Sequence, residues 1–158
     1  MQPVRDWTVL VYMNANNNLA NGAKGLLNNQ LGTLDPCDRV SVAVEYSHLR
    51  GEPGYIWPDA IRHQRCEVAP GKLQTVEDMP YQNMASPDTL EDFLRWGIKR
   101  YPAEHYLVVV QGHGSAWKRS LPDDATRYDS SGQELPKAGG IAEGSRPATL
   151  GVDEIGGV

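Results

Sequence analysis

Three apolar runs of strand length, with helical spacing between them, constrain the fold of this chain more than any other feature. They are residues 7–13 (WTVLVYM), 39–46 (RVSVAVEY) and 107–110 (LVVV). Short runs of this kind are typical of strands in parallel sheets, and the run at 107–110 is predicted to be buried on both faces. The order strand, helix, strand at the start of the chain predicts a βαβ unit. We therefore expect an α/β fold with a mainly parallel sheet.

Two helices are predicted between these runs. The first follows the asparagines at 16–18, which suit an N-cap, and it ends before Pro36. The second has Ser86 as N-cap and Pro87 at its first helical position, and Pro102 ends it. The apolar stripe of the second helix consists of Leu90, Phe93, Leu94, Gly97, Ile98 and Tyr101. Each helix would connect two strands of the sheet.

The remaining segments are less regular. Residues 55–57 and 61–68 are predicted as short antiparallel strands around a Pro58-Asp59 turn. From residue 118 onward there are seven glycines, three prolines and no periodicity, which predicts a flexible loop through 149 and the start of a further element at 150–158. A chain of 158 residues, 40% of them apolar, suffices for one core. We expect a single incomplete domain spanning 1–158, with an ordered core at 7–117.

Composition excludes several classes of function. The net charge of -5 and the lack of a basic stripe argue against nucleic acid as a partner. No window approaches the roughly 18 apolar residues of a membrane span, and the start MQPVRDW lacks the order of a signal peptide. Cys37 and Cys66 have neither C-x-x-C spacing nor a nearby histidine pair, so we predict no metal site on them. Because no secretory signal is present, we predict two free thiols, with one disulfide between them as the alternative. The residues themselves call for no cofactor.

The third apolar run leads into a histidine held between two glycines, in the sequence QGHG. Reactive groups of α/β proteins collect at the carboxyl ends of strands, and a backbone N–H beside a histidine can donate to an oxyanion. His113 and Gly114 are therefore candidate catalytic residues. The simpler alternative is a tight strand exit with a polar tip. Asn16 and Asn17 follow the first run in the same way, and they are candidates to line a substrate cleft unless they serve only as N-caps.

Two stretches of the chain together resemble one known family. WTVLVYMNANNNL and SPDTLEDFLRWGIKRYPAEHYLVVVQGHGSAW are similar to the clostripain family of cysteine peptidases, in the caspase-like clan with gingipains and legumains. The resemblance covers about residues 7–117. It implies a caspase-like three-layer sandwich, His113 as the catalytic histidine, an oxyanion-hole N–H from Gly114, and cleavage of peptide or protein substrates after Arg or Lys. It also leaves calcium open as a cofactor and secretion as a localisation.

The chain departs from the family pattern at the nucleophile. The family's cysteine lies on the next strand, in a segment like D-A-C, and no such segment precedes Val158. Cys37 and Cys66 both precede His113, so neither matches. The resemblance implies the N-terminal portion of an endopeptidase whose cysteine and specificity-pocket acid lie on a missing C-terminal half or on a separate heavy chain. This chain alone is expected to be inactive. Processing sites are expected at Lys137, Arg146 and Arg127.

Two other classes of protein stay open. One is a non-catalytic caspase-like module that binds peptides or partner proteins and has lost the nucleophile. The other is a flavodoxin-like binding domain, whose phosphate loop should be rich in glycine, serine or threonine after the first strand. The stretch NANNNL matches such a loop poorly.

Overall fold

The computed structural model describes residues 4–15, 19–48, 62–112, 120–123 and 148–150. Its elements, in chain order, are β1 (Arg5–Ala15), α1 (Ala20–Asn29), a 3-10 turn (Leu31–Thr33), β2 (Val40–His48), β3 (Arg62–Ala69), β4 (Lys72–Met79), α2 (Pro87–Arg100), β5 (Ala103–Gln111), β6 (Ser120–Asp123) and β7 (Ala148–Leu150). No helix in these ranges is long and apolar enough to cross a membrane.

Five of these strands form one mixed sheet in the order β4-β3-β2-β1-β5. β1 is parallel to both β2 and β5, whereas β3 is antiparallel to β2 and β4. Four strands therefore run in one direction and β3 runs against them. The predicted βαβ unit is confirmed as β1, α1 and β2, because β1 and β2 are parallel and α1 connects them.

The two helices pack on opposite faces of the sheet. Side chains of β1 alternate between the faces, as expected for a strand. Leu10 and Tyr12 pack with Phe93 of α2, whereas Val11 and Met13 pack with Leu27 of α1. The result is three layers with two apolar cores, one under each helix. We call these two sides of the sheet the α2 face and the α1 face.

The start of α2 follows the sequence prediction, but the start of α1 does not. Ser86 is the N-cap of α2 and Pro87 is its first helical residue, as predicted. In α1 the N-cap is Leu19, so the prediction that the asparagines at 16–18 cap this helix is wrong. The reason is that the carbonyl of Leu19 accepts the first helical hydrogen bond, from the N–H of Ala23 at 2.9 Å. Residues 16–18 themselves lie outside the described residues.

β5 is much more exposed than its sequence predicts. Leu107, Val108 and Val109 are 49%, 42% and 40% exposed, so the expectation of a strand buried on both faces is wrong. The cause is its position, because β5 is the last strand on its side of the described sheet and pairs with β1 alone. The exposed Ile98 of α2 likewise departs from the predicted apolar stripe. An apolar edge of this kind favours pairing with another strand.

The structure pairs β3 with other strands than the sequence predicts. The strand predicted at 61–68 is confirmed as β3, but its antiparallel partners are β2 and β4. Residues 55–57 lie outside the described residues. β4 was missed, although Pro70 and Gly71 mark the turn before it and Gly71 has the φ of 66° that glycine favours. The short strands β6 and β7 pair with each other at the two ends of the segment predicted as loop.

Candidate active site

Three parallel strands end at the same side of the sheet. In the register, Ala15 of β1 lies opposite His48 of β2, and Met13 of β1 lies opposite Gln111 of β5. β4 also ends on this side, because Met79 lies opposite His63 at the start of β3. We call this side of the sheet the carboxyl edge. It is the place where α/β proteins collect ligands and reactive groups.

The site residues predicted from the sequence all lie outside the described residues: Asn16, Asn17, His113, Gly114, Arg127, Lys137 and Arg146. The structure does place the strand ends that come before the first four. Ala15 ends β1 directly before Asn16, and Gly112 follows the end of β5 directly before His113. β1 and β5 are neighbouring parallel strands. In the sequence, the candidate residues Asn16 and His113 therefore come just after the ends of two adjacent parallel strands.

Near the carboxyl edge, the α2 face carries buried polar side chains. Tyr12 and Asn14 of β1, Glu45 and Ser47 of β2, and His63 of β3 are each fully buried. They are neighbours across the strands, since Tyr12 lies opposite Glu45 and Ser47 lies opposite both Asn14 and His63. A buried polar group is costly unless it is hydrogen-bonded. This part of the sheet therefore depends on polar contacts as well as on apolar packing.

Glu45 is the centre of a charged network that joins the sheet to α2. Its carboxylate accepts hydrogen bonds from His63 Nε2 at 3.0 Å and from Arg65 Nε at 2.6 Å. The guanidinium of Arg65 also donates to Asp92 of α2 at 2.6 Å and to Glu77 of β4 at 3.4 Å. Burial lowers the pKa of Arg65, but the carboxylates of Glu45 and Asp92 outweigh burial and raise it. We call these five side chains the Glu45 network.

The tautomer of His63 follows from its two hydrogen bonds. The backbone N–H of Gln82 donates to His63 Nδ1 at 3.2 Å, so this nitrogen carries no proton. The proton of the neutral ring is then on Nε2, where it is donated to Glu45. Sequence reasoning missed these residues. The available signals were a glutamate inside the apolar run VSVAVEY and charged residues at alternate positions of β3.

Neither cysteine of the chain lies at the carboxyl edge. Cys66 is buried in β3, opposite Val44, and burial raises its pKa to about 11. Cys37 is exposed and precedes β2 at the opposite edge of the sheet. The prediction of two free thiols is confirmed. Neither position suits a nucleophile acting beside the end of β5.

The two thiols should differ sharply in reactivity. At pH 8 a thiol whose pKa is about 11 is only about 0.1% thiolate, and Cys66 is also shielded from reagents. We expect iodoacetamide to modify Cys37 alone in the native chain and both cysteines in denaturant, as measured by mass spectrometry. Cys37→Ser should remove the native modification. Rapid native labelling of Cys66 would contradict its placement in the core.

The opposite edge of the sheet carries a cavity of about 290 Å³, lined among others by Arg5, Cys37, Glu67 and Tyr101. It lies at the amino ends of the parallel strands, because Arg5 begins β1 and lies opposite Ala103 at the start of β5. It is therefore remote from the carboxyl edge. Across the described ranges, no group of three His, Cys, Asp or Glu side chains is arranged to hold a metal ion.

Comparison with solved structures finds cysteine proteases. A B. fragilis cysteine protease is 24% identical, with a TM-score of 0.53 over 72% of this chain and 93% of that chain. A secreted cysteine protease from Bacteroides thetaiotaomicron, in complex with an irreversible peptide inhibitor, is 21% identical with a TM-score of 0.56 over 72% of this chain and 31% of that one. A clostripain from the same organism, bound to the peptide inhibitor BTN-VLTK-AOMK, is 16% identical with a TM-score of 0.54 over 73% and 96%.

Comparison with models of protein families identifies the family to which this chain belongs. No curated protein matches the chain in sequence. The model of the clostripain family matches residues 11–132, which include the second half of β1 and all of the elements from α1 to β5. The mixed sheet with its helices on both faces agrees with the solved cysteine proteases, so the predicted caspase-like α/β fold is confirmed. The chain therefore belongs to the clostripain family and has the caspase-like fold of the cysteine proteases that it resembles.

Proposed function

We propose that this chain is part of a cysteine endopeptidase that cleaves peptide bonds after arginine or lysine, with His113 as its catalytic histidine. The observation that carries the proposal is the register of β1 and β5, which brings the chain to two adjacent strand ends just before Asn16 and His113. In an α/β sheet such a pair of ends is a favoured place for a reactive group. Membership of the clostripain family supports the choice of chemistry.

The proposed reaction follows the general scheme of cysteine peptidases. A cysteine thiolate on a downstream segment or partner chain attacks the carbonyl carbon of the scissile peptide. The N–H of Gly114 donates to the oxyanion that forms, and the imidazole of His113 protonates the leaving amine. Water then hydrolyses the thioester. Asn16 and Asn17 are assigned to the wall of the cleft, where side-chain amides can hydrogen-bond the substrate backbone.

Neither of the two cysteines in this chain is placed to act as the nucleophile, which supports a nucleophile outside the chain. Cys66 is buried with a raised pKa, and Cys37 lies at the opposite edge of the sheet. The solved relatives also differ in length, since the alignment covers 93% and 96% of two chains but 31% of a third. This difference in length is consistent with a protease that is synthesised as one long chain and also occurs as a shorter chain. A lysine ends the VLTK peptide of one bound inhibitor, in line with cleavage after a basic residue.

The proposal is tested by comparing the 158-residue chain with the complete protein, meaning this chain together with its downstream segment or partner chain. Both are assayed with matched peptides that carry Arg, Lys or Asp before the cut. We expect turnover of the Arg and Lys peptides by the complete protein and none by the 158-residue chain, because the nucleophile is absent from it. If the 158-residue chain is active and Cys37→Ala or Cys66→Ala abolishes that activity, the nucleophile is the substituted cysteine and the proposed active site is wrong. A complete protein that binds peptides without cleaving them would favour the non-catalytic module.

Maturation is predicted to cut the chain in the segment after His113. A segment rich in glycine and proline enters a peptidase cleft more readily than a helix does, so Arg95 on α2 should stay intact. The expected order is Lys137, then Arg146, then Arg127. Lys137 is followed by Ala-Gly-Gly, whereas Pro147 after Arg146 makes that bond a poor substrate. Mass spectrometry of the matured protein should find a new C-terminus at one of these residues.

The control for maturation is the complete protein with its nucleophilic cysteine changed to alanine. Without other proteases present, this variant should remain uncut. A fully active enzyme whose chain stays intact between β5 and β7 would show that processing is not required.

A further inference from the structure

We propose that the cavity at the amino ends of the parallel strands binds a molecule that carries a basic side chain and a free carboxylate, namely lysine, arginine or a peptide that ends in one of them. We call it the amino-edge cavity. The site is separate from the candidate active site, and its existence does not depend on the proposed function. The proposed function enters in one respect, because peptides cleaved after Arg or Lys are one source of such a ligand.

The amino-edge cavity lies where β2 and β3 separate. Their antiparallel pairing ends with Ala43 opposite Glu67, although both strands continue beyond this pair. If the register continued, residues 40–42 would pair with residues 68–70, and all six residues line the cavity instead. Pro70 has no backbone N–H to donate to a neighbouring strand. The cavity is therefore an opening in the sheet with one strand on each side.

The outer end of this opening is closed by the chain before β2 and after β3. The N–H of Gly71 donates to the carbonyl of Leu34 at 3.0 Å, and the N–H of Val40 donates to the carbonyl of Cys37 at 3.0 Å. Pro36 and Cys37 line the cavity from this side. Its volume of about 290 Å³ is close to the lower limit of small-molecule sites. The space therefore suits one small ligand or the end of a chain.

Charged groups of opposite sign lie at the two ends of the cavity. Glu67 lies at the inner end, where the strands separate, and one oxygen of its carboxylate accepts a hydrogen bond from Tyr101 Oη at 2.8 Å. Arg5 lies at the outer end, where its Nη1 donates to the carbonyl of Asp38 before β2. Arg5 Nε is buried without a hydrogen-bond acceptor in the part of the chain that the structure describes. Both side chains therefore have hydrogen-bonding capacity left for a ligand.

Apolar side chains lie between the two charged ends. Val40, Val42 and Val68 line the cavity, and residues 40–42 span about 10 Å of strand. A ligand that matches this lining has a carboxylate for the arginine, an apolar stem for the valines and a cation for the glutamate. Lysine and arginine carry these groups in this order. One cation and two carboxylates give the lining a net charge of -1, which also favours a basic ligand; they are Arg5, Asp38 and Glu67.

Cys37 reports on whether the cavity is occupied, because it is exposed and lines the cavity. The complete protein is treated with iodoacetamide in the presence and absence of L-lysine, and modification of Cys37 is followed by mass spectrometry. A ligand of this size is expected to bind with a Kd of about 1 mM. With lysine at about ten times its Kd, Cys37 should be modified about tenfold more slowly. Unchanged modification at about 10 mM lysine would overturn the proposal.

Analogues of lysine test each end of the cavity without any change to the protein. The compound 6-aminohexanoate keeps the carboxylate and the terminal ammonium, so it should protect Cys37 as lysine does. Norleucine lacks the terminal ammonium and cadaverine lacks the carboxylate. Each should require a concentration at least about tenfold higher, since a charge-assisted hydrogen bond is lost. Equal protection by lysine and either of these two compounds would refute the proposed orientation and with it the site.

The peptide Ala-Ala-Lys and its C-terminal amide distinguish the two sources of the ligand. Protection of Cys37 by the peptide with a free carboxylate would support the site and identify peptide ends as ligands. Protection by lysine alone would support the site with the free amino acid as its ligand. Equal protection by the peptide and its amide would contradict the proposal, because the carboxylate would then have no role.

Two variants test whether the ligand lies in the cavity. Glu67→Gln and Arg5→Met should each raise the Kd of lysine, measured by protection of Cys37, at least about tenfold. Arg39→Met is the matched control, because Arg39 is exposed, pairs with Asp6 and does not line the cavity. It should change the Kd less than about twofold. An equal effect of all three substitutions would indicate a general effect of charge and would overturn the site.

Peptidase assays on the same samples separate this proposal from the proposed function. Lysine that protects Cys37 in a complete protein without peptidase activity would refute the proposed function alone. An active peptidase in which lysine leaves the modification of Cys37 unchanged would refute the amino-edge site alone. Circular dichroism shows whether each variant is folded, and the analogue series on the wild-type protein remains decisive if Arg5→Met is not.

Discussion

Replacing His113 by alanine in the complete protein is expected to lower kcat/KM for Arg and Lys peptides by about 10²–10⁴-fold. General acid–base transfer by a positioned side chain is typically worth that much. The variant also loses the imidazolium that stabilises the cysteine thiolate. The fold should be preserved, because β5 ends at Gln111, before this residue. Steady-state kinetics and circular dichroism measure the two effects separately.

His105 of β5 provides a matched control. It lies near the start of this strand, opposite Trp7, and is exposed, and the centres of the two rings are 4.8 Å apart. His105→Ala should leave kcat/KM within about twofold of wild type, as expected for a surface substitution. If His113→Ala retains activity within about tenfold of wild type, His113 is not the catalytic histidine. If His113→Ala unfolds, the role of His113 is structural, in the tight turn after the strand.

Replacing Arg65 by methionine is expected to cost about 3–5 kcal/mol of unfolding free energy, the largest stability effect that we predict. The substitution keeps an apolar stem of similar length but leaves the carboxylate of Glu45 fully buried without its cation. It also removes the guanidinium that lies 5.0 Å from the ring centre of Trp96. Guanidinium chloride unfolding of the 158-residue chain and of the complete protein measures the loss.

Arg95 is the matched control for Arg65, since it also pairs with a carboxylate but on the exposed side of α2, with Glu91 at i,i+4. Arg95→Met should cost less than about 0.5 kcal/mol. Adding Glu45→Gln to Arg65→Met should recover part of the lost stability, because the unpaired charge is then gone. Equal effects of Arg65→Met and Arg95→Met would show that the Glu45 network contributes no more than a surface ion pair.

Several local features of the fold were predictable from the sequence. The runs at 7–13 and 39–46 have no competing pattern, and Ser86, Pro87 and Pro102 mark the ends of α2 through backbone chemistry that depends on a few adjacent residues. The parallel pairing of β1 with β2 follows from the helix between them. These features need no knowledge of distant parts of the chain.

The burial of β5 and the Glu45 network could not be predicted, because both depend on contacts between residues that are far apart in the chain. LVVV has the composition of a buried strand, but its burial depends on a neighbour on the far side of β5, which the described sheet does not supply. The Glu45 network brings together residues from β2, β3, β4 and α2. Nothing in the separate segments shows that Glu45 will lie beside Arg65. For the candidate site, the sequence predicts the residues and the structure contributes the two strand ends that precede them.

The position of β1 between β2 and β5 also determines the order in which the chain can fold during its synthesis. Among the elements that build the five-stranded sheet, β1 emerges from the ribosome first, whereas its neighbour β5 and the helix α2 that covers Leu10 and Tyr12 emerge last. Contacts between such distant residues must overcome the entropy of closing a long loop, whereas the β3–β4 hairpin closes through a two-residue turn. At a synthesis rate of about 5–20 residues per second, one edge of β1 stays unpaired for several seconds. Among the strands of this sheet, the apolar β1 is thus the one whose unpaired edge needs protection longest while the protein is being made.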